Sequence, residues 1–231
     1  MVKKVTIGAD PELFIEKDGK IVSAEGLIGG TKQEPKPIGD KGHAMQEDNV
    51  MVEFNIPPCG TEKEFVKEID FVLDYLDTYL DVKGGYTLNY AASANLEKKY
   101  LNTPQAKLFG CDPDFNIYLK DVNEAPDAKG TLRTCGGHIH IGYENPNQTD
   151  SEKLIYAMDI TVGLPSILLD EDINRRKMYG NAGCFRFKDY GVEYRTLSNF
   201  WLATEDLKKW VYDGTMTAVR LVNEGVIDNI V

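Results

Sequence analysis

The sequence has 231 residues, 42% of them hydrophobic and 10% aromatic, enough apolar material to bury a substantial core. A formal net charge of −11 repels nucleic-acid backbones, and no apolar run reaches the length of a membrane span or the core of a signal peptide. Cys59, Cys111, Cys135 and Cys184 are widely spaced with no CxxC pair, as expected of reduced thiols in a cytoplasm.

Residues 4–17, KVTIGADPELFIEK, read as a strand, a turn-like interruption and a second strand. Leu13 and Ile15 share one face and Glu12 and Phe14 the other, with Asp10 in phase with Glu12. Two carboxylates two residues apart suit a cation, although Asp-Pro also commonly opens turns. The Gly-, Pro- and Lys-rich stretch 26–42 is expected to be a long loop, and it lacks the Lys-Ser/Thr ending of a phosphate-binding loop. VMVEFNIP (50–57) alternates, with Met51, Glu53 and Asn55 on one face. Glu53 is the only charge in that run, and a carboxylate on a half-buried strand is costly without a partner, which favours a ligand role. Counted along the chain, Glu47 is in phase with Glu53 and Asp48 is not.

Thr61 and Glu64 form a capping box for a helix whose stripe is Phe65, Ile69, Val72, Leu73, Leu76 and Leu80, ended by Gly84-Gly85. Residues 85–92 read as a further strand. FGCDPDFNIYL (109–119) repeats the Gly-x-Asp-Pro-acid order of GADPELFI and sets Asp112, Asp114 and Asn116 on one face. That is either a strand-opening turn or a second ligand cluster. Residues 126–130 read as a loop.

Two of the three histidines fall in GGHIHIG (136–142), which reads with the preceding TLRTC and Tyr143 as one strand. His138 and His140 then point one way, and Ile139 and Ile141 the other. Adjacent imidazoles on a rigid element suit a metal; the bland alternative is two solvated surface histidines. Cys135 completes a zinc half-site only if Gly136-Gly137 bulge, because its odd offset places it on the opposite face. Thr149 with Glu152 predicts a second capping box, before a helix carrying Leu154, Ile155, Met158 and Val162 that Gly163-Leu164-Pro165 interrupts. Residues 172–188 are expected to be a loop rich in cations: Arg175, Arg176, Lys177, Arg186 and Lys188. Such a cluster in an acidic chain suits a clamp for phosphate or carboxylate. GVEYRTLSNFW (191–201) alternates as a strand with Glu193, Arg195 and Leu197 on one face, where Glu and Arg could be a mere surface ion pair. Thr204 caps a final helix buried through Leu207, Trp210, Val211, Ala218, Leu221 and Val222, with Gly214 allowing close packing on the sheet.

These elements predict an α+β fold, a mostly antiparallel or mixed sheet with helices on one face and a charged concave face opposite. That face would gather Asp10, Glu12, Glu53, His138, His140, Glu193 and Arg195. Carboxylates with an imidazole suit two or more Mg²⁺ or Mn²⁺ ions, and cations with arginines suit phosphoryl transfer.

GADPELFI, VEFNIPP, GGHIHIG, the RxxxYGNAGxFR loop and GVEYRTLSNFW, in that order, resemble the phage-type carboxylate–amine ligases, type 2, of the glutamine synthetase superfamily. The resemblance runs from about Ile7 to Trp201. It implies one catalytic domain over 1–231, built on a curved, mostly antiparallel sheet forming an open half-barrel with helices outside. It further implies an ATP-dependent ligase joining a small-molecule or peptide carboxylate to an amine through an acyl phosphate. By the same resemblance Asp10, Glu12, Glu53, His138 and Glu193 hold the metal ions. His140, Arg176, Arg186 and Arg195 fall where the superfamily contacts nucleotide phosphates or the acyl phosphate, and Asn55 is placed with the nucleotide. One further metal acid has no clear counterpart, for which Glu47 or Asp48 would substitute. The extra N-terminal domain of true glutamine synthetases is missing; sheet edges nonetheless leave self-association open. The competing readings are a zinc-dependent hydrolase built on His138 and His140, and an inactive nucleotide-binding relative. No nucleic-acid or membrane partner is expected.

Overall fold

The computed structural model describes residues 1–107, 114–123 and 130–229. Cys111 and Asp112, and residues 126–129 of the expected loop, lie outside the described residues.

Strands β1 (Thr6–Ala9) and β2 (Glu12–Lys17) flank Asp10-Pro11 as predicted. Pro11 has no N–H to give a ladder, and the pairing changes there: β1 joins one sheet and β2 another. A turn with Asp18 and Gly19 at φ 51 and 73 returns β3 (Lys20–Val22) along β2. The stretch 26–42 is not loop throughout. It contains β4 (Lys36–Ile38), paired with β5 (His43–Asp48), and Pro37 is tolerated because β4 is the outermost strand of its sheet. After Asn49 (φ 55) the chain reverses into β6 (Met51–Asn55), with Gln46 opposite Glu53 and Asp48 opposite Met51. Opposed residues share a face, so this hairpin sets Asp48 beside Glu53 and turns Glu47 away, reversing the phase counted along the sequence.

Helix α1 (Glu62–Gly84) begins as the capping box predicts: Thr61 Oγ1 accepts from the Glu64 N–H at 3.2 Å, and Gly85 ends the helix in the left-handed conformation. Its stripe is buried, each large side chain contributing about 1.5–3 kcal/mol. Strand β7 (Thr87–Asn89) pairs with β2. Then come β8 (Ser93–Asn95), the short α2 (Pro104–Lys107), β9 (Phe115–Asn116) and β10 (Asp121–Val122).

The histidine stretch is two strands rather than one. β11 (Leu132–Thr134) pairs with β8 in a separate ribbon, and β12 (Ile139–Gly142) pairs with β1. Between them the main chain presses against the segment before Trp201. A Cβ on Gly137 would lie 2.2 Å from the Ser198 carbonyl oxygen, so a side chain there would force the two apart. Helix α3 (Gln148–Met158) is capped by Asn147, not Thr149: Asn147 Oδ1 accepts from the Asp150 N–H at 2.9 Å. Pro165 does not break the rod. A π turn at Asp159–Gly163 leads into α4 (Leu164–Leu169), where Pro165 sits in the first turn and has little helical bonding to lose. The expected loop 172–188 contains α5 (Ile173–Met178), capped by Asp172, and β13 (Cys184–Lys188). Strand β14 (Gly191–Tyr194) stops well short of Trp201, and α6 (Glu205–Asn223) follows with Thr204 as its cap. Gly214 lies against Val162 and Thr161 of the π turn instead of the sheet.

The described strands form a sheet ordered β1-β12-β14-β13-β9-β10 and another ordered β3-β2-β6-β5-β4. They run together where the Ile56 N–H donates to the Ala9 carbonyl at 3.3 Å and Ile7 bridges Cys59. The result is a curled antiparallel half-barrel with helices, as the sequence predicts. Ile139, Ile141, Val192 and Tyr194 are buried in the main core with residues of α1, α3 and α6. Among the described residues no helix is long and apolar enough to cross a membrane.

Candidate active site

Strand register assembles the site. Gly8, His140, Glu193 and Arg186 stand in one row across β1, β12, β14 and β13, and Glu12 stands opposite Glu53 across β2 and β6. Two groups of potential metal ligands result: Asp10, His140 and Glu193, and Glu12, Asp48 and Glu53. Asp10 and Glu12, which share a strand phase, therefore divide between the groups. Glu47 belongs to neither; its carboxylate accepts the Gly26 and Gly29 N–H groups at 2.9 and 2.8 Å and ties down the loop. Asp48 is the acid that groups with Glu12 and Glu53.

In the first group His140 Nε2 lies 2.9 Å from Asp10 Oδ1, without the angle of a hydrogen bond. Tyr190 Oη meets the other ring nitrogen, Nδ1, fixing the ring. His138 presents Nδ1 to the same centre, 3.4 Å from Asp10 and 3.6 Å from Glu193, but Arg195 Nη1 is nearer, at 3.2 Å. Of the two histidines it is His140 that groups with Asp10 and Glu193 as a potential ligand, while His138 stands beside them against Arg195. Glu193, fully buried, pairs with Arg195 and with Lys188 at 2.8 Å, and lies 3.7 Å from Arg186. Asp114 contacts Arg195 Nε and lies 3.7 Å from Arg186, so this acid braces both guanidinium groups. Cys135 joins neither group, and burial raises its thiol far above the usual range; the zinc half-site does not assemble among the described residues.

The two groups differ electrically. Burial alone would raise Glu193, and the Asp10 charge would add to that, yet Arg195 and the two histidines bring it down to about 2. Asp10 also outweighs its burial, held well below the carboxylate range chiefly by His140. Burial and the Arg195 charge push His138 down, whereas the Asp10 carboxylate draws His140 up despite burial. In the second group burial and the Asp48 charge push Glu12 up to about 8, although the Gly136 N–H donates to it at 2.7 Å. Burial, Asp10, Asp48 and Glu12 raise Glu53 strongly, against a single hydrogen bond from Gln46 at 2.9 Å.

The groups open onto a cavity of about 440 Å³ lined by Asp10, Glu53, His140, Asn55, Tyr190 and, from the 26–42 loop, Lys32. The missing side chains of Gly8 and Gly142 widen it beyond His140. The implied phosphate contacts divide. Arg186 and Arg195 reach Glu193, whereas Arg176 spends its guanidinium on the Ser166 and Asp170 carbonyls at 3.0 and 2.8 Å, holding α4 to α5. Its neighbour Arg175 is fully buried and is the loop arginine whose charge acts on Glu12.

Residues 131–224 match the family described as Phage phiEco32-like COOH.NH2 ligase-type 2. This is a family of carboxylate–amine ligases, as the resemblance implies. The matched stretch runs from β11 through α6 and supplies His138, His140, Arg186, Glu193 and Arg195. Asp10, Glu12, Asp48 and Glu53 lie outside it and meet those residues only through the fold. No curated protein matches the chain.

Sequence reasoning missed Tyr190, whose turn carries no signal; it offered Asp48 beside Glu47, but strand phase pointed to Glu47 because the hairpin was hidden. Asp114 was visible as a strand-phase acid, but not as the brace of two arginines.

Proposed function

We infer that this chain is an ATP-dependent carboxylate–amine ligase that forms an amide through an acyl phosphate, using two or more Mg²⁺ or Mn²⁺ ions. The observation that carries this reading is the pair of adjoining ligand groups, one ringed by Arg195, Arg186 and Lys188, at the edge of a cavity. Five carboxylates are hard donors, which suit Mg²⁺ and Mn²⁺, and they outnumber the one borderline imidazole. Asp10 and His140 approach as two ligands of one ion would, and the raised Glu12 and Glu53 are buried acids in need of positive charge. Bound ions would neutralise the charge of the nucleotide's phosphates.

The residues divide the remaining work. A substrate carboxylate attacks the γ-phosphoryl group, ADP leaves, and an amine then displaces phosphate from the acyl phosphate. Arg186 and Arg195 face the charge that develops on the transferred group, already aimed by Asp114 and Glu193. Asn55 and Lys32 line the part of the cavity that takes the nucleotide. Tyr190 holds the ring of His140, and His138 stays neutral beside Arg195. The free, buried Cys59, Cys135 and Cys184 fit a reducing compartment, the cytoplasm.

The test is a panel of carboxylates and amines incubated with ATP and Mg²⁺, read for ADP and for condensation products by mass spectrometry. ADP release that needs both partners supports the ligase. Tight stoichiometric zinc with hydrolysis and no ADP would reject it, and ATP–Mg²⁺ binding without turnover on any pair would favour an inactive relative.

A further inference from the structure

The rod formed by α3, the π turn and α4 carries an exposed apolar stripe. Ile160, Leu164, Ile167 and Leu168 recur at helical spacing, and Leu169 and Ile173 flank them. Leu168 is 87% exposed, Leu164 60%, Ile173 59% and Ile167 55%. Helix α6 packs against this rod, whose other side is buried through Val162, Gly163 and Ser166. Six such aliphatic side chains present roughly 500 Å² of apolar surface, large for a monomer and a major part of the about 800 Å² per partner in a standard interface.

We propose that this face is covered by the same face of a second copy of this chain, in a two-fold dimer. Two features select that occupant. The patch is large enough to form the apolar centre of a self-complementary interface. Its rim also carries charges of both signs: Glu171 and Lys177 are exposed and make no ion pair among the described residues. A two-fold axis near Leu168 lets Glu171 meet the partner subunit's Lys177, and the reverse contact follows by symmetry. An anionic membrane or nucleic acid would meet a chain of net charge −11. The interface would also lie against α5, whose Arg176 ties it to the end of α4.

Sedimentation equilibrium of the full chain over a wide concentration range tests this. The expected wild-type result is twice the 25.9 kDa of one chain. Leu168→Glu, and independently Leu164→Glu, should weaken association about thirtyfold or more, as for a central interface residue. Both positions are exposed, so circular dichroism should stay unchanged. Glu171→Lys alone should weaken the dimer, and adding Lys177→Glu should restore it. A wild-type chain that is monomeric at the highest concentration overturns the proposal, including the case in which a different protein covers the face. So does a dimer that both glutamate variants leave intact, and a charge-swapped double variant no tighter than the single one overturns the two-fold arrangement.

Discussion

The two ligand groups lie side by side yet solve burial in opposite ways. Asp10, His140 and Glu193 are surrounded by the chain's own cations, so Glu193 remains ionised, with a pKa of about 2. Glu12, Asp48 and Glu53 have only weak and distant positive charge, so Glu12 is pushed to about 8 and Glu53 well upward. The first group is balanced by the chain's own cations; the second is left with a deficit of positive charge. Removing an acid should therefore destabilise one group and relieve the other.

Glu193→Gln gives the sharpest contrast. It takes the carboxylate from Lys188 and leaves Arg195 with Asp114 as its acid, so urea unfolding should show a loss of about 3 kcal/mol together with loss of ADP formation. Glu53→Gln should cut kcat about a thousandfold, yet cost far less stability than Glu193→Gln, because burial and the neighbouring acids already push the native carboxyl towards its neutral form. Relative to the native protein the variant should gain stability as pH rises. Equal destabilisation by the two substitutions would erase the distinction between the groups.

The same contrast fixes a pH dependence. Glu12 titrates near 4.5 when unfolded and near 8 when folded, so the folded state binds the extra proton between those values. Its contribution is most favourable below pH 4.5 and is lost as pH rises towards 8. Without added metal, Tm should fall across that window; Mg²⁺ or Mn²⁺ should flatten the decline and release protons on binding, readable by calorimetry in buffers of different ionisation enthalpy. A metal-independent profile would count against an ion at this group.

Smaller effects refine the picture. Tyr190→Phe removes the partner of His140 Nδ1 and should weaken Mn²⁺ binding at the first group by about tenfold, with little change in Tm. Arg176→Ala should cost about 1 kcal/mol of stability through its lost carbonyl contacts while changing kcat least of the arginines. A collapse of kcat at constant stability would instead return Arg176 to the phosphate contacts.

How much was legible depended on whether the signal was local. Helices α1 and α6 follow from caps and apolar spacing, and both appear where Thr61 and Thr204 place them. Glu12, Glu53 and Glu193 stand out because a lone charge in an apolar strand needs a partner. Strand phase failed at Asp48, because alternation does not carry through a reversing turn. It failed again before His138, where Gly136 and Gly137 let two short segments pass as one strand. The rod through Pro165 was misread for a related reason: a π turn is set by packing against α6, which no window of sequence displays.

Pro11 has a mechanical consequence. It joins the first residue of one ligand group to the first of the other, Asp10 to Glu12, while the strands on either side belong to different sheets. The spacing between two bound ions would then be gauged by a single ring-locked peptide unit, and any flexing of the trough would be felt first as a change in that gap.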